Sequence, residues 1–296
     1  MNAIELRGLT KSYGSGRGVF DLSLSIPEGE VFGYLGPNGS GKTTTIRQLM
    51  GFIRPQKGSC SILGLDCSRE AAAIQASVGY IPGEISLIDD MTGMDFLKFY
   101  ASYRGVRDLS RARLLMERFE LDPKGRLRRM SKGMKQKVGI LCAFLHDPQV
   151  LILDEPTSGL DPLMQSRFIE LILEEKERGK TILMSSHIFE EVERTCSRVG
   201  IIKEGRLVAV DSIDALKAAR RKTYLVTLPT PQEARAFAEG CGLPVLSLSR
   251  STVAVAVQNS MAAFTAALAS APVVNLDIPH QGLEEIFMQY YGGEAQ

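Results

Sequence analysis

The chain has 296 residues, and its 35 lysines and arginines almost balance its 34 aspartates and glutamates, so the formal net charge is +1. This length is typical of two domains or one large one. Charges that balance this closely argue against bulk electrostatic binding to nucleic acid or to an anionic membrane surface. No apolar run reaches the roughly 18 residues that indicate a membrane-spanning helix. The first residues lack the basic and apolar segments of a secretory signal, so we expect a cytoplasmic protein.

Five cysteines are spread along the chain without a Cys-x-x-Cys pair, and the three histidines lie far apart. This spacing does not match a zinc site. Reduced structural thiols are the state expected of cysteines in a cytoplasmic protein.

The first 35 residues alternate apolar and polar positions between glycine-rich turns, which predicts short antiparallel strands. Wholly apolar strands then alternate with helices, which predicts an α/β fold whose mostly parallel sheet is covered on both faces. The predicted strands of this part are residues 3–9, 19–26, 31–35, 77–81, 150–153 and 181–185. The predicted helices follow residue 43 and span residues 94–121, 131–145 and 163–178.

The composition changes near residues 218–222, so we expect two domains, residues 1–220 and 221–296. The order of elements in the second domain is β-α-β-β-α-β, which predicts a small α+β domain of ferredoxin-like type. Its predicted strands are residues 224–228, 244–249, 252–257 and 273–278, and its predicted helices are residues 231–239, 261–268 and 283–291.

Residues 36–43 read Gly-Pro-Asn-Gly-Ser-Gly-Lys-Thr and lie between a predicted strand and a predicted helix. This is the phosphate-binding P-loop pattern in the context that it requires. The glycines let backbone N–H groups turn towards phosphates, and the helix adds its positive N-terminal end. Lys42 can reach the β- and γ-phosphates, and the Thr43 hydroxyl can bind Mg²⁺. The predicted nucleoside triphosphate site comprises Gly36, Pro37, Asn38, Gly39, Ser40, Gly41, Lys42, Thr43 and Thr44.

The apolar strand 150–153 leads directly into Asp154 and Glu155. In P-loop folds, a buried strand that ends in an acid places a Mg²⁺ ligand beside the phosphates. We expect Asp154 to hold the metal through its water shell and Glu155 to act as general base on the attacking water. Alone, the pattern also fits a solvated strand end, but the P-loop favours the catalytic interpretation.

Nucleotide kinases, GTPases, helicases and transporter ATPases share these two sites, so further motifs must decide among the classes. These motifs are Tyr13 before a glycine-rich turn, Ser-Lys-Gly-Met-Lys-Gln-Lys at residues 131–137, Ser-Gly-Leu-Asp at residues 158–161, and His187 after a strand. In this order, they resemble the ATP-binding cassette (ABC) family over residues 3–215. The resemblance implies a P-loop NTPase core with an N-terminal antiparallel β subdomain and a helical insert, followed by the small α+β appendage.

The resemblance also implies a role for each motif. Tyr13 would stack on adenine, His187 would be the switch residue that bonds the γ-phosphate, and residues 130–134 take the place of the LSGGQ signature. In this family, two cassettes pair head to tail around two ATP molecules, a closed two-fold arrangement. Ser131, Gly133 and Asp161 would then contact the ATP held by the opposite cassette.

The signature segment and the segment around residue 83 both depart from the family pattern. The signature reads Met-Ser-Lys-Gly-Met, and Gly83 stands where the family usually has a glutamine that touches the metal and the attacking water. Glycine has no side chain for that contact, so either Glu84 or water replaces it, or the coupling runs through the backbone.

A lone histidine after a strand is more often structural than catalytic. His187, however, follows two serines at the end of an apolar strand, where sheet residues reach ligands. His146 and His280 have no such context, and we expect both to be structural. Ser131 is also expected to cap a helix.

We therefore expect an ATP-hydrolysing motor subunit of an ABC transporter, resembling bacterial multidrug and antibiotic exporters. Its partners would be a second cassette, identical or not, and a separately encoded membrane permease contacted through residues 81–104, with no nucleic acid. The chain would lie on the inner face of the cell membrane. The alternatives are a soluble cassette ATPase acting on a ribosome or DNA, and a regulatory cassette with weak hydrolysis, for which Gly83 leaves room.

Overall fold

The computed structural model describes residues 1–218, 222–257 and 261–278. The chain divides into two compact units, Met1–Ile213 and Asp214–Gln296. Within the described residues, no helix combines the length and the apolar character that a membrane crossing requires.

The first unit contains the elements that the P-loop and its partners require. Its strands are β1 (Asn2–Ser12), β2 (Gly18–Pro27), β3 (Val31–Leu35), β4 (Lys57–Ile62), β5 (Leu65–Asp66), β6 (Val78–Ile81), β7 (Val150–Asp154), β8 (Thr181–Ser186), β9 (Arg198–Lys203) and β10 (Arg206–Ser212). Its helices are α1 (Lys42–Leu49), α2 (Ala71–Ser77), α3 (Gly93–Tyr103), α4 (Ser110–Arg118), α5 (Lys132–Phe144), α6 (Pro162–Glu177) and α7 (Phe189–Thr195).

Two sheets form the first unit. The antiparallel sheet has the order β2-β1-β4-β5, and the larger sheet has the order β10-β9-β3-β8-β7-β6. All neighbours in the larger sheet are parallel except β10 and β9. One core cluster contains Leu6 of the first sheet, Ile46 of α1 and Ile152 of the second sheet. Burial of each such side chain contributes about 1.5–3 kcal/mol.

The prediction that residues 31–35 form an antiparallel strand was wrong. β3 pairs in parallel with β8 and β9, in the middle of the larger sheet. Every residue of β3 is buried, as expected of a parallel strand covered on both faces.

The predicted helical region 94–121 is two helices, α3 and α4. Gly105 has a φ of 70°, a conformation that glycine adopts without the steric cost of a Cβ atom. Its N–H bonds the Ser102 carbonyl, so the last turn of α3 closes there. The predicted helix at 131–145 corresponds to α5, which Ser131 caps by accepting the N–H of Met134 at 3.2 Å.

Helix α8 (Ile213–Ala218) begins at the last residue of the first unit. The second unit continues with β11 (Lys222–Thr227), α9 (Pro231–Gly240), β12 (Val245–Ser249), β13 (Thr252–Val257), α10 (Met261–Ala269) and β14 (Asn275–Asp277). The sheet order is β12-β13-β11-β14, and each neighbouring pair is antiparallel. Its core includes Val226, Phe237, Val255 and Phe264. The helix predicted at 283–291 and His280 lie outside the described residues.

Candidate nucleotide-binding and hydrolytic site

The functional segments meet at one edge of the larger sheet. The P-loop follows β3, Asp154 ends β7 and is followed by Glu155, and His187 follows β8. Because β3, β8 and β7 are parallel neighbours, their carboxyl ends lie at the same edge. Ligands of α/β folds bind at this edge.

Lys42 is buried beneath the P-loop, with 6% of its surface exposed. Its Nζ donates a hydrogen bond to the Gly36 carbonyl at 2.5 Å and another to the Pro37 carbonyl at 3.4 Å. The same Nζ lies 3.3 Å from Oε1 of Glu155. A desolvated ammonium group is costly unless it is paired, so Lys42 is a cation that an anionic phosphate can also satisfy.

Asp154 is fully buried and accepts hydrogen bonds from two hydroxyl groups. Thr43 donates to Oδ2 at 2.8 Å, and Ser185 donates to Oδ1 at 2.5 Å. Thr43 and Asp154 are the two residues predicted to bind Mg²⁺. The contact of Ser185 with Asp154 was not predicted, although the sequence shows two serines at the end of β8. Hydroxyl donors offset the cost of burying a carboxylate.

Glu155 lies between Lys42 and His187. Its backbone has a φ of 50°, which is uncommon for a residue with a side chain and is concentrated at functional sites. The Glu155 N–H donates to both the carbonyl and the hydroxyl oxygen of Ser185, at 3.2 and 3.1 Å. Oε2 of Glu155 is hydrogen-bonded to Nδ1 of His187, so the two predicted catalytic side chains are in direct contact.

A cleft of about 880 Å³ opens in front of these residues. Its lining contains the side chains of Lys42, Thr43, Glu155 and His187, with Tyr13 at 56% exposure. Four basic residues line it against two acidic ones: Arg17, Lys42, Arg47 and Lys132 against Glu84 and Glu155. Arg17, Arg47 and Lys132 are not among the residues predicted from the sequence for this site. An excess of cations favours a polyphosphate.

Gly36 and Ser40 are buried beneath the loop. The Ser40 hydroxyl oxygen has no hydrogen-bond partner within the described part of the chain. A buried polar atom without a partner is costly, so this hydroxyl is a locally unfavourable feature of the loop.

Gly83 lies against the acidic side chain that ends β7. A Cβ atom at this position would be 3.2 Å from Oδ2 of Asp154, so a longer side chain here would reach the carboxylate and hydroxyl pair. The absence of a side chain at residue 83 therefore leaves space beside Asp154. Glu84, the next residue, lines the cleft.

Of the residues predicted to act across a dimer, two cap helices. Ser131 caps α5, and Asp161 caps α6 by accepting the N–H of Met164 at 3.0 Å. Gly133 packs against the loop before α6, where a Cβ atom would lie 2.6 Å from the Gly159 carbonyl oxygen. The signature segment and residues 158–161 are thus in contact within one chain.

His146 lies apart from these residues. Its Nε2 is 3.2 Å from the Val78 carbonyl oxygen. Burial, followed by the nearby charge of Arg104, lowers the pKa of His146 to about 4. A neutral imidazole that bonds a strand carbonyl fits the structural role expected for it.

The model of the ABC transporter family matches residues 19–158. The Nod factor export ATP-binding protein I of Paraburkholderia xenovorans is 39% identical over 222 residues, which are 73% of this chain and 73% of that protein. The chain belongs to the ABC transporter family.

Further similarities agree with this assignment of the cassette. The bacitracin transport ATP-binding protein BcrA of Bacillus licheniformis is 39% identical over 222 residues, 74% of this chain and 72% of that protein. A solved ATP-binding subunit of an ABC transporter superposes with a TM-score of 0.67 at 33% identity, covering 73% of this chain and 92% of that one. The family resemblance and the P-loop fold class predicted from the motifs are confirmed. The cassette binds ATP, is an ATPase, and is a transporter subunit rather than a soluble ATPase of ribosomes or DNA.

Proposed function

We propose that this cassette is the motor of an export system, in which Glu155 activates the water that cleaves ATP. The observation that carries the proposal is the position of Glu155, between the Lys42 ammonium and the His187 ring, at the cleft. Export is the function named for the Nod factor relative.

The cleft residues support one placement of ATP. The triphosphate lies over residues 36–44, with Lys42 turned from Glu155 to the β- and γ-phosphates. Tyr13, exposed at the cleft edge, offers a flat ring for adenine. Nζ of Lys11 lies over one face of this ring, 6.0 Å from its centroid. Aromatic rings bind bases by stacking.

The residues at the phosphate end fit Mg²⁺. Thr43 and Asp154 supply hydroxyl and carboxylate oxygens, the hard donors that Mg²⁺ prefers, and their 2.8 Å contact places both on one side of the cleft. When bound there, Mg²⁺ neutralises charge on the β- and γ-phosphates. Ser185 keeps the carboxylate oriented through Oδ1.

Hydrolysis then follows from the remaining side chains. Once Lys42 pairs with phosphate, Oε1 of Glu155 is released to accept a proton from water. The water oxygen bonds to the γ-phosphorus while the bond from that phosphorus to the bridging oxygen breaks, which releases ADP. His187 donates a hydrogen bond to the γ-phosphate, and Glu155 orients its ring through Nδ1.

Two partners complete the proposed motor. A second cassette in a two-fold pair brings Ser131, Gly133 and Asp161 to the ATP of the first. A membrane permease binds the region of residues 81–104, which includes α3. An apolar groove of about 220 Å³ lined by Phe52, Ile85, Leu87 and Phe96 supports this location, because apolar concave surfaces are typical of binding sites. The cassette then lies on the inner face of the membrane.

The test is Glu155→Gln in the full-length chain. We expect turnover to fall at least about 100-fold because the amide accepts a proton poorly, while ATP affinity is retained. Glu190→Gln is the matched control: Glu190 is an exposed residue on α7, 3.5 Å from Arg194, and its loss of charge leaves hydrolysis unchanged. A Glu155→Gln variant that hydrolyses ATP at the wild-type rate would refute the assignment of the base.

A further inference from the structure

A buried polar cluster lies behind Glu155 and His187. Its centre is Glu191 of α7, which has 2% of its surface exposed. The Thr157 hydroxyl donates a hydrogen bond to Oε1 of Glu191, and the Ser186 hydroxyl donates to Oε2 at 3.0 Å. One carboxylate therefore binds two segments that are far apart in sequence.

Each of these segments carries a catalytic side chain. Thr157 follows Glu155 by two positions, and Ser186 directly precedes His187. The Ser186 hydroxyl also accepts the N–H of Ile188 at 2.9 Å, which closes a turn around His187. Glu191 thus links the segment that carries the catalytic base Glu155 to the turn that carries His187.

The loop that contains Glu155 is also held from its other side. Gln136 of α5 is buried, and its Nε2 donates to the Pro156 carbonyl at 2.6 Å. α5 begins at the signature segment. A hydrogen bond therefore links the signature helix to Pro156, and the next residue, Thr157, is hydrogen-bonded to Glu191, which in turn binds Ser186.

A role in stability alone accounts poorly for a carboxylate at this position. Burial raises the pKa of Glu191, and the hydrogen bonds from Thr157 and Ser186 act in the opposite direction. In the part of the chain that the structure describes, no lysine or arginine forms an ion pair with it. Replacing all partners of a buried hydrogen-bonded cluster by apolar groups of the same shape can leave stability nearly unchanged, whereas two hydrogen bonds accepted by one planar carboxylate fix a geometry.

We propose that Glu191 is a positioning residue, which sets the spacing between the Glu155 carboxylate and the His187 ring by tying Thr157 to Ser186. The inference rests on the proposed role of Glu155 in hydrolysis. Since Glu191 does not line the cleft, its loss changes the rate of the chemical step and not the binding of ATP.

The experiment compares kcat and KM for Mg·ATP in the purified full-length chain. Glu191→Ala lowers kcat about 10- to 100-fold, because displacement of a catalytic group by about 1 Å has that effect, and KM stays within about threefold. Glu191→Gln restores most of kcat, since its amide can accept from Thr157 and donate to Ser186. Glu175→Ala is the matched control: Glu175 is 3% exposed and paired with Arg111 and Arg178, away from the cleft, so this variant melts at a lower temperature but keeps kcat.

Three results would overturn the proposal: a kcat of Glu191→Ala within about threefold of wild type, a rise in KM that matches the loss of kcat, or an equal loss of kcat in Glu175→Ala. If Glu191→Ala does not fold, Thr157→Val and Ser186→Ala each remove one bond of the bridge. A wild-type kcat in both variants also refutes it. Glu155→Gln, measured alongside, separates the two proposals: if it retains turnover, the proposed function fails, and if only it loses turnover, this inference fails.

Discussion

Removal of the Ser185 hydroxyl tests the network behind the phosphate site. The hydroxyl donates to the buried Asp154 carboxylate at 2.5 Å and accepts the Glu155 N–H at 3.1 Å. A hydrogen bond to a charged group contributes about 1.5–3 kcal/mol. The carboxylate keeps Thr43 as a donor, and the Glu155 N–H keeps the Ser185 carbonyl. We therefore expect Ser185→Ala to lower the free energy of unfolding by about 2 kcal/mol.

Urea unfolding followed by circular dichroism measures this loss. With a slope of about 2 kcal/mol per molar urea, the midpoint falls by about 1 M at an unchanged slope. The control is Ser166→Ala on α6, where the hydroxyl bonds only the Pro162 carbonyl at 3.1 Å in the described residues. Its midpoint moves by about 0.2 M or less, since alanine is the better helix former. Equal midpoints for the two variants would refute the reasoning.

Three further predictions concern the P-loop, a buried imidazole and the second unit. Lys42→Ala weakens ATP binding about 10-fold or more in equilibrium titration, because the main cation under the loop is lost. The pKa of His146 is lowered to about 4 in the fold, so between about pH 6.5 and pH 4 protons bind the unfolded chain first and the free energy of unfolding falls with pH. His146→Gln therefore reduces this loss of stability, which urea unfolding at several pH values measures. Removal of residues 221–296 leaves the first unit with a cooperative thermal transition, since that unit has its own core.

Each of these predictions has a result that contradicts it. ATP affinity in Lys42→Ala equal to that of wild type would exclude its contact with phosphate, and Lys124→Ala, which changes an exposed lysine that does not line the cleft, serves as the control. An identical pH dependence of stability in His146→Gln and wild type would show that the imidazole has the same pKa in the folded and the unfolded chain. A broad, non-cooperative melt of the shortened chain would show that residues 221–296 are required by the first unit.

The strands and helices of the site were predictable because their signals are local. The apolar run before Asp154, the glycine-rich loop ending in Lys42 and Thr43, and the cap at Ser131 each occupy a few consecutive residues. The pairing of β3 was not predictable in the same way. Alternation of residues indicates a strand but not its neighbour, and β3 finds its partners in β8 and β9, far along the chain.

The sequence by itself determined that this chain binds a nucleoside triphosphate and belongs among the ATP-binding cassettes, since contiguous motifs carry that chemistry in their backbone and order. Only the tertiary structure decided which side chains act together: Ser185 on Asp154, His187 on Glu155, and Glu191 between Thr157 and Ser186. The physical reason is that these contacts join residues from different strands and helices. The distances between these side chains depend on how β7, β8 and α7 pack, which no local sequence pattern predicts.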